Sequence, residues 1–169
     1  MSSRRRCCKG VLAGSNTGVV MRQTRKIVAD DLLMTEICRQ LADGLKVEFT
    51  PKGVSMLPFI RGGRDSVVLA RSGELIEGDI VLARLSSGSY VLHRIISING
   101  TEIILMGDGN IRGTEKCRVG DVIAVSERII RNGKAVECRS EKHLRKVAIW
   151  QMLRPVRRYL LAIYKRIIL

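Results

Sequence analysis

The sequence contains only two histidines, and its five cysteines form no C-x-x-C pair and stand at no zinc-finger spacing with a histidine. We therefore expect free cytosolic thiols rather than metal ligands. Long apolar runs are also missing. The uncharged stretch 11–21 contains Gly, Ser, Asn and Thr and is far shorter than the roughly 18–20 apolar residues of a transmembrane helix. These absences predict a chain without a metal site, a cofactor or a membrane-spanning helix.

Acidic residues are scarce at both ends of the chain. The whole chain carries 30 Lys and Arg against 16 Asp and Glu, but residues 1–26 hold no acid and residues 141–169 hold one, so the body is neutral. A nucleic-acid-binding face needs basic residues clustered on folded elements, and no nucleic-acid partner is predicted. The basic ends favour an anionic membrane surface. We expect a cytoplasmic protein that can lie on the inner face of the membrane.

The N-terminal segment allows two interpretations. Three arginines, Arg4 to Arg6, precede an apolar stretch as in a signal peptide, but that stretch is weak. Met21, followed by "RQTRK", is equally suited to be the true start of the protein. Residues 1–28 are therefore interpreted as a basic tail that is expected to be disordered.

Hydrophobic periodicity predicts a β-rich body. Leu33, Ile37 and Leu41 recur at helical spacing and predict a helix over 31–43 that ends before a glycine. After this helix, the apolar residues recur at every second position, as in a β-strand. Strands are predicted at 66–70, 79–85, 90–98, 102–106 and 121–130. The dipeptides Asn99-Gly100 and Asn132-Gly133 suit type I′ hairpin turns. The pattern indicates an antiparallel β domain with a leading helix over 29–139.

Residues 140–169 predict basic amphipathic helices, with a kink at Pro155. At helical spacing the apolar side comprises Val156, Leu160, Ile163, Tyr164 and Ile167. The polar side comprises Arg154, Arg157, Arg158 and Lys165. The apolar side can pack on the β domain or lie on a membrane, and the sequence leaves both open.

Two residues stand out as candidates for chemistry. Ser55 lies in "KGVSMLPFI", between a glycine-containing turn and a proline, although a plain surface loop would read the same way. His93 lies among apolar residues in "YVLHRIISI", where a charged imidazole is costly without a partner. A lone strand histidine is more often an ordinary core or surface residue. The other histidine, His143, is predicted to be solvent-exposed.

Four segments together resemble a known family. "GVSMLPFI", "EGDIVLA", "YVLHRIISING" and "ILMGDGN" follow one another within residues 50–125. In order and spacing they resemble the boxes of type I signal peptidases and their LexA-like relatives, in the version that uses histidine as the base. The resemblance implies a mainly β fold, a coiled antiparallel sheet with flanking N- and C-terminal helices, and serine peptidase activity.

The resemblance also implies roles for individual residues. Ser55 would be the nucleophile, its backbone N–H part of the oxyanion hole, and His93 the general base. We then expect Ser55 Oγ to lie about 2.6–3.2 Å from a ring nitrogen of His93, or somewhat farther without substrate. Gly53 would allow close approach of the substrate, and Met56 and Pro58 would line its binding site.

The third catalytic group is left open by the resemblance. Asp108 in "GDGN" matches an acid that the family places near the base. The positions where histidine-type enzymes carry further aspartates hold Gly113 and Thr114, followed by Glu115. Either Asp108 or Glu115 would orient His93, since a base needs a group that fixes its tautomer and direction.

Three functions follow as hypotheses. The first is a serine endopeptidase with a Ser-His dyad that cleaves a peptide or leader; because the transmembrane anchor of signal peptidases is missing, a specialised substrate is expected. The second is a catalytically weak or inactive member that binds peptides by β-augmentation. The third is LexA-like self-cleavage, for which Ala13-Gly14 would be the site.

Overall fold

The computed structural model describes residues 21–71 and 73–168. The tail up to residue 20, including Cys7, Cys8 and the Ala13-Gly14 pair, lies outside this part. Eight described strands form one antiparallel sheet, with one helix before it and two helices after it in the chain. The predicted mainly β class with flanking helices is therefore confirmed.

Most of the helices and strands are short. They are α1 (Met21–Ala42), β1 (Val47–Phe49), β2 (Ser66–Ala70), β3 (Ile80–Arg84), β4 (Tyr90–Asn99), β5 (Glu102–Met106), β6 (Glu115–Arg118), β7 (Val122–Arg131), β8 (Lys134–Glu137), α2 (Glu141–Met152) and α3 (Arg157–Ile168). The longest connection, from β1 to β2, carries Ser55. The order in the sheet is β1-β2-β7-β3-β4-β5-β6, and β8 pairs with β7. The sequence pattern did not predict β6 or β8.

The two predicted hairpin turns differ. Arg131 pairs with Lys134, and the intervening Asn132 and Gly133 have φ angles of 50° and 74°. These positive angles fit the predicted type I′ turn. The other prediction is wrong in its position: Asn99 still belongs to β4 and pairs with Glu102, so the loop is Gly100-Thr101. Only Gly100 of this loop has a positive φ, 60°.

Alternate residues of the central strands form two apolar clusters, because successive side chains point to opposite faces. Ile80 and Leu82 of β3 pack with Ile37 and Leu41 of α1 in the first cluster. The second contains Val81 and Ala83, together with Ile95, Ile103, Leu105, Cys117 and Val125. The sheet is thus buried on both faces at its centre. Cys117 and Cys138 are buried free thiols, and Cys38 is also buried.

Helix α1 begins at Met21, ten residues earlier than the prediction, which started it at residue 31. Residues 21–28, expected to belong to a disordered tail, are therefore helical. The segment 21–42 contains no glycine or proline that would end a helix. No helix in the described part of the chain is long and apolar enough to cross a membrane.

The C-terminal helices differ from the prediction in which side chains are buried. Pro155 lies in a 3₁₀ turn between α2 and α3, as the predicted kink requires. Arg157, predicted on the polar side, is only 1% exposed, whereas Ile163 and Ile167 of the predicted apolar side are 57% and 76% exposed. His143 is buried, not solvent-exposed as predicted. Contacts with the loop after β5 and with Phe59 in the Ser55 loop explain these differences.

Candidate functional site

Ser55 lies in the loop that connects β1 to β2. Buried Met56, Leu57 and Ile60 anchor this loop, and Ser55 itself is half-buried. Two backbone hydrogen bonds stabilise it: Ile60 N–H to the carbonyl of Met56, at 2.9 Å, and Gly63 N–H to the carbonyl of Pro51, at 2.8 Å. The serine is therefore presented by a loop whose shape is set by apolar anchors.

The "GDGN" loop after β5 packs directly against the Ser55 loop. Gly109 N–H donates to the Ser55 carbonyl at 2.7 Å. A Cβ at Gly107 would lie 2.5 Å from that same carbonyl oxygen, and a Cβ at Gly109 would lie 2.6 Å from the carbonyl oxygen of Val54. Both distances are shorter than van der Waals contact, so any side chain there would displace the backbone beside Ser55. The two glycines of this motif thus serve close packing.

Ser55 and His93 line the same cleft, which has a volume of about 160 Å³. One wall is the Ser55 loop, including Gly53 and Met56, and the other is the start of β4. Residues 91–93 of β4 pair with β3, while β5 begins its pairing only at Arg94. Among the described strands, this part of β4 therefore has a free edge along the cleft.

Glu115 holds the imidazole of His93. The distance from His93 Nδ1 to Glu115 Oε2 is 2.9 Å, and His93 is 7% exposed. The register of the sheet brings them together, because Leu105 pairs with both Ile95 and Glu115, and His93 lies two residues before Ile95 on the same face. A carboxylate accepts, so Nδ1 donates. Nε2 is left as the basic nitrogen.

Asp108 does not bind His93. It forms a buried, bidentate ion pair with Arg94, with Nε to Oδ1 at 2.9 Å and Nη2 to Oδ2 at 2.7 Å. Both side chains are at most 1% exposed. Arg94 also donates to the carbonyl of Gly78 and lies over the ring of Phe59. Of the two acids considered as orienting groups, Glu115 contacts His93 and Asp108 contacts Arg94 instead.

The remaining predicted site residues are placed as follows. Gly53 lines the cleft with a φ of 93°, a backbone conformation that favours glycine. Met56 lines the cleft from the core. Pro58 is not among the lining residues; its carbonyl accepts from Arg131 at 3.2 Å. Within the described part of the chain, no hydrogen bond joins Ser55 Oγ to His93.

The C-terminal helices contact the "GDGN" loop through residues that sequence reasoning missed. Trp150 Nε1 donates to the Asp108 carbonyl at 2.8 Å, and Arg157 Nη1 donates to the Asn110 carbonyl at 3.3 Å. Arg157 also lies over the Trp150 ring. Burial lowers the pKa of Arg157. The only sequence indication is the seven-residue spacing of His143, Trp150 and Arg157, two helical turns each.

His143 lies edge-on to Phe59, the same ring over which Arg94 lies. Burial lowers its pKa, the positive charges of Arg94 and Lys146 add to this, and Asp108 opposes it. The folded protein thus holds His143 neutral at a pH where the unfolded chain, with an ordinary histidine pKa near 6.5, takes up a proton. Protonation therefore favours the unfolded state.

We expect the free energy of unfolding to decrease as the pH falls from about 7 to about 5. The decrease is up to about 1.4 kcal/mol for each pH unit by which the pKa of His143 in the folded protein lies below that in the unfolded chain. His143→Phe, which keeps an aromatic ring beside Phe59, should have a smaller decrease. Urea unfolding at several pH values measures it, with His93→Gln as the control that removes the other histidine. If the free energy of unfolding depended on pH equally in the wild type and in His143→Phe, the decrease would not come from His143.

The described residues contain no group of three or more His, Cys, Asp or Glu side chains that could hold a metal ion. Burial raises the pKa of the Cys117 thiol to about 11 and raises that of Cys138. Both therefore remain protonated near neutral pH and are poor nucleophiles. Ser55 is therefore a better candidate for a nucleophile than either of these two cysteines.

Comparison of the chain with models of protein families and with the sequences of curated proteins gave no match.

Proposed function

We propose that the chain is a serine endopeptidase in which Ser55 is the nucleophile, His93 the general base and Glu115 the group that orients the base. The observation that carries this proposal is the cleft itself. Ser55 and His93 line it together, and the bond from His93 Nδ1 to Glu115 leaves Nε2 able to take a proton. A hydroxyl, a base and an acid that fixes the tautomer are the groups that nucleophilic catalysis by serine requires.

The reaction follows from these groups. Ser55 Oγ attacks the carbonyl carbon of the scissile peptide bond while Nε2 of His93 accepts the hydroxyl proton. The carboxylate of Glu115 stabilises the imidazolium that forms. The backbone N–H of Ser55 is the candidate donor to the tetrahedral oxyanion. His93 then gives its proton to the leaving amine, and a water molecule, deprotonated by His93, hydrolyses the ester on Ser55.

The missing hydrogen bond between Ser55 and His93 bears on this mechanism. Catalytic hydrogen bonds in unliganded enzymes are often long and form only with substrate. Ser55 is half-buried and lines the same cleft as His93, and the proposed mechanism requires that Oγ reach the imidazole there. Substrate binding would then complete the pair.

The cleft indicates how a peptide would bind. The free edge of β4 at residues 91–93 can pair with an extended peptide as an additional strand. Met56, Ile60 and Leu92 give the cleft an apolar lining. A second cavity, of about 240 Å³, shares Pro51, Lys52 and Tyr90 with the first and is lined further by Leu33, Met34 and Phe49. An extended peptide with apolar side chains fits both cavities.

A second candidate function is peptide binding without cleavage. The observation that favours it is the absence of a hydrogen bond between Ser55 Oγ and His93 in the described part of the chain. The free edge of β4 and the two cavities would serve this function equally well. The two functions differ in one respect: a binding module does not need the hydroxyl of Ser55.

The test is a search for cleavage in a pool of peptides of diverse sequence. The pool is incubated with the wild-type protein, and new termini are identified by mass spectrometry. We expect cuts within extended apolar sequences, and none with Ser55→Ala. Ser86→Ala, which changes an exposed serine in the loop between β3 and β4, is the matched control and should cut normally. Peptides retained but left intact by the wild-type protein would favour the binding module.

Glu115→Gln should lower kcat by about 10²–10⁴ with little change in KM. The glutamine amide can donate to Nδ1, which selects the tautomer with the proton on Nε2 and so removes the base. Steady-state kinetics on a peptide found above measures this. Glu102→Gln changes an exposed acid on the neighbouring strand and should leave kcat unchanged. A normal kcat for Glu115→Gln would show that His93 does not need this acid.

A further inference from the structure

The C-terminal segment, which consists of α2, α3 and the turn between them, carries a long series of exposed apolar side chains. They recur every three or four residues and are 44% to 80% exposed: Ile149, Met152, Val156, Tyr159, Ile163 and Ile167. We name this set the C-terminal stripe. Apart from Leu153, the other large exposed apolar side chains of the described residues are spread over several loops, helix α1 and strand β8, and single residues of that kind are ordinary. A series of six over 19 residues calls for an explanation.

The stripe is exposed although its helices are docked. Helix α3 turns Arg157 and Leu161 towards the protein, and both are at most 3% exposed. Arg157 donates to the Trp150 carbonyl at 3.0 Å, and this contact attaches α3 to α2. The apolar residues of the stripe therefore point away from a side that is already packed. The sequence left open whether the apolar side packs on the β domain or lies on a membrane. The residues of the stripe do not pack on the β domain; they are exposed.

The segment that carries the stripe also carries exposed, positively charged side chains. Exposed basic side chains of the same segment are Lys142, Lys146, Arg154, Arg158, Lys165 and Arg166. Its single acid, Glu141, forms an ion pair with Arg145 at 2.6 Å. In the described part of the chain, none of the six basic side chains has an ion pair with an acid. Apolar exposure and uncompensated positive charge thus occur on one segment.

We infer that the C-terminal stripe is a docking surface for an anionic lipid bilayer. Its apolar side chains would enter the boundary between headgroups and acyl chains, and the basic residues would bind the lipid phosphates. A second copy of this chain fits less well, because pairing two such segments brings their positive charges together. Nucleic acid would leave the apolar side chains exposed to water. The inference does not depend on peptidase activity.

Co-sedimentation of the full chain with vesicles tests this inference. The vesicles contain phosphatidylglycerol and phosphatidylcholine in equal parts, or phosphatidylcholine alone, at about 150 mM salt. The test variant is Ile163→Ser with Ile167→Ser. Its matched control is Ile111→Ser with Val119→Ser, which removes two exposed apolar side chains elsewhere. Residues 1–20 are the same in all variants, so their basic residues cannot produce a difference between them.

The wild-type protein and the control pair should bind the anionic vesicles, and the test pair should bind about tenfold less or weaker still. Lys165→Gln with Arg166→Gln should weaken binding about fivefold per charge at low salt, and Arg112→Gln with Lys134→Gln should weaken it less. Thermal unfolding followed by circular dichroism checks that each variant is folded. Equal binding by the test pair, or no binding by the wild type at low salt, overturns the inference. Loss of a dimer in the test pair without vesicle binding by the wild type assigns the stripe to a second copy.

Discussion

Ser55→Ala is expected to cleave a peptide substrate of the wild-type protein about 10⁴–10⁶-fold more slowly, because losing the nucleophile leaves only binding and oxyanion stabilisation. The Ser55 backbone would still present its N–H, and its carbonyl would still accept from Gly109. KM should therefore change little while kcat falls. Single-turnover measurements with the variant in excess give the residual rate.

Two controls limit the interpretation of that result. The unfolding midpoint of Ser55→Ala should equal that of the wild type, because no described side chain depends on Oγ. Ser86→Ala should retain the wild-type rate. If Ser55→Ala cleaves at a rate within tenfold of the wild type, Ser55 is not the nucleophile and the proposed mechanism fails. If neither protein cleaves but both bind the same peptides, the binding module is the correct function.

Asp108→Asn is expected to lower the free energy of unfolding by about 3–5 kcal/mol, because it leaves the buried Arg94 guanidinium without its counter-charge. Arg94 is 1% exposed, so water cannot replace the carboxylate. Urea unfolding at neutral pH measures the change. A loss this large is comparable to much of the stability of a small domain, and partial unfolding at room temperature is part of the expected result.

The matched control for Asp108→Asn is Glu102→Gln. Glu102 pairs with Lys116, and the two side chains are 50% and 66% exposed, so its removal should cost less than about 1 kcal/mol. Arg94→Met combined with Asp108→Asn should be less destabilising than Asp108→Asn alone, since no charge then remains buried. A cost below about 1 kcal/mol for Asp108→Asn would mean that the pair does not hold this region together.

The strands that contain a continuous run of apolar residues were predictable, and β6 and β8, which lack such a run, were not. Strands β2 and β5 have the predicted bounds, 66–70 and 102–106. Strand β6, with the sequence EKCR, has one buried residue and was missed. It is a strand because β5 offers it an edge to pair with, and tertiary context of this kind outweighs local propensity.

The candidate site was predictable as a set of residues but not as a set of contacts. Local sequence singled out Ser55 and His93, and both line the cleft. It could not choose between Asp108 and Glu115, because that choice depends on the register of three strands. Nor could it predict the burial of Arg157, whose partner carbonyl, that of Asn110, lies 47 residues away in sequence. Pairings over such distances leave no periodic pattern.

The contacts of Trp150 and Arg157 with the "GDGN" loop also bear on where the smallest autonomous folding unit ends. A chain cut after the sheet would lose the donors to the Asp108 and Asn110 carbonyls and the aromatic cover of Phe59. These groups adjoin the backbone that holds Ser55. Although composition divides the sequence at about residue 140, we expect the cooperative unit to extend through α3, so that shortening the chain from this end loosens the cleft before it reaches the sheet.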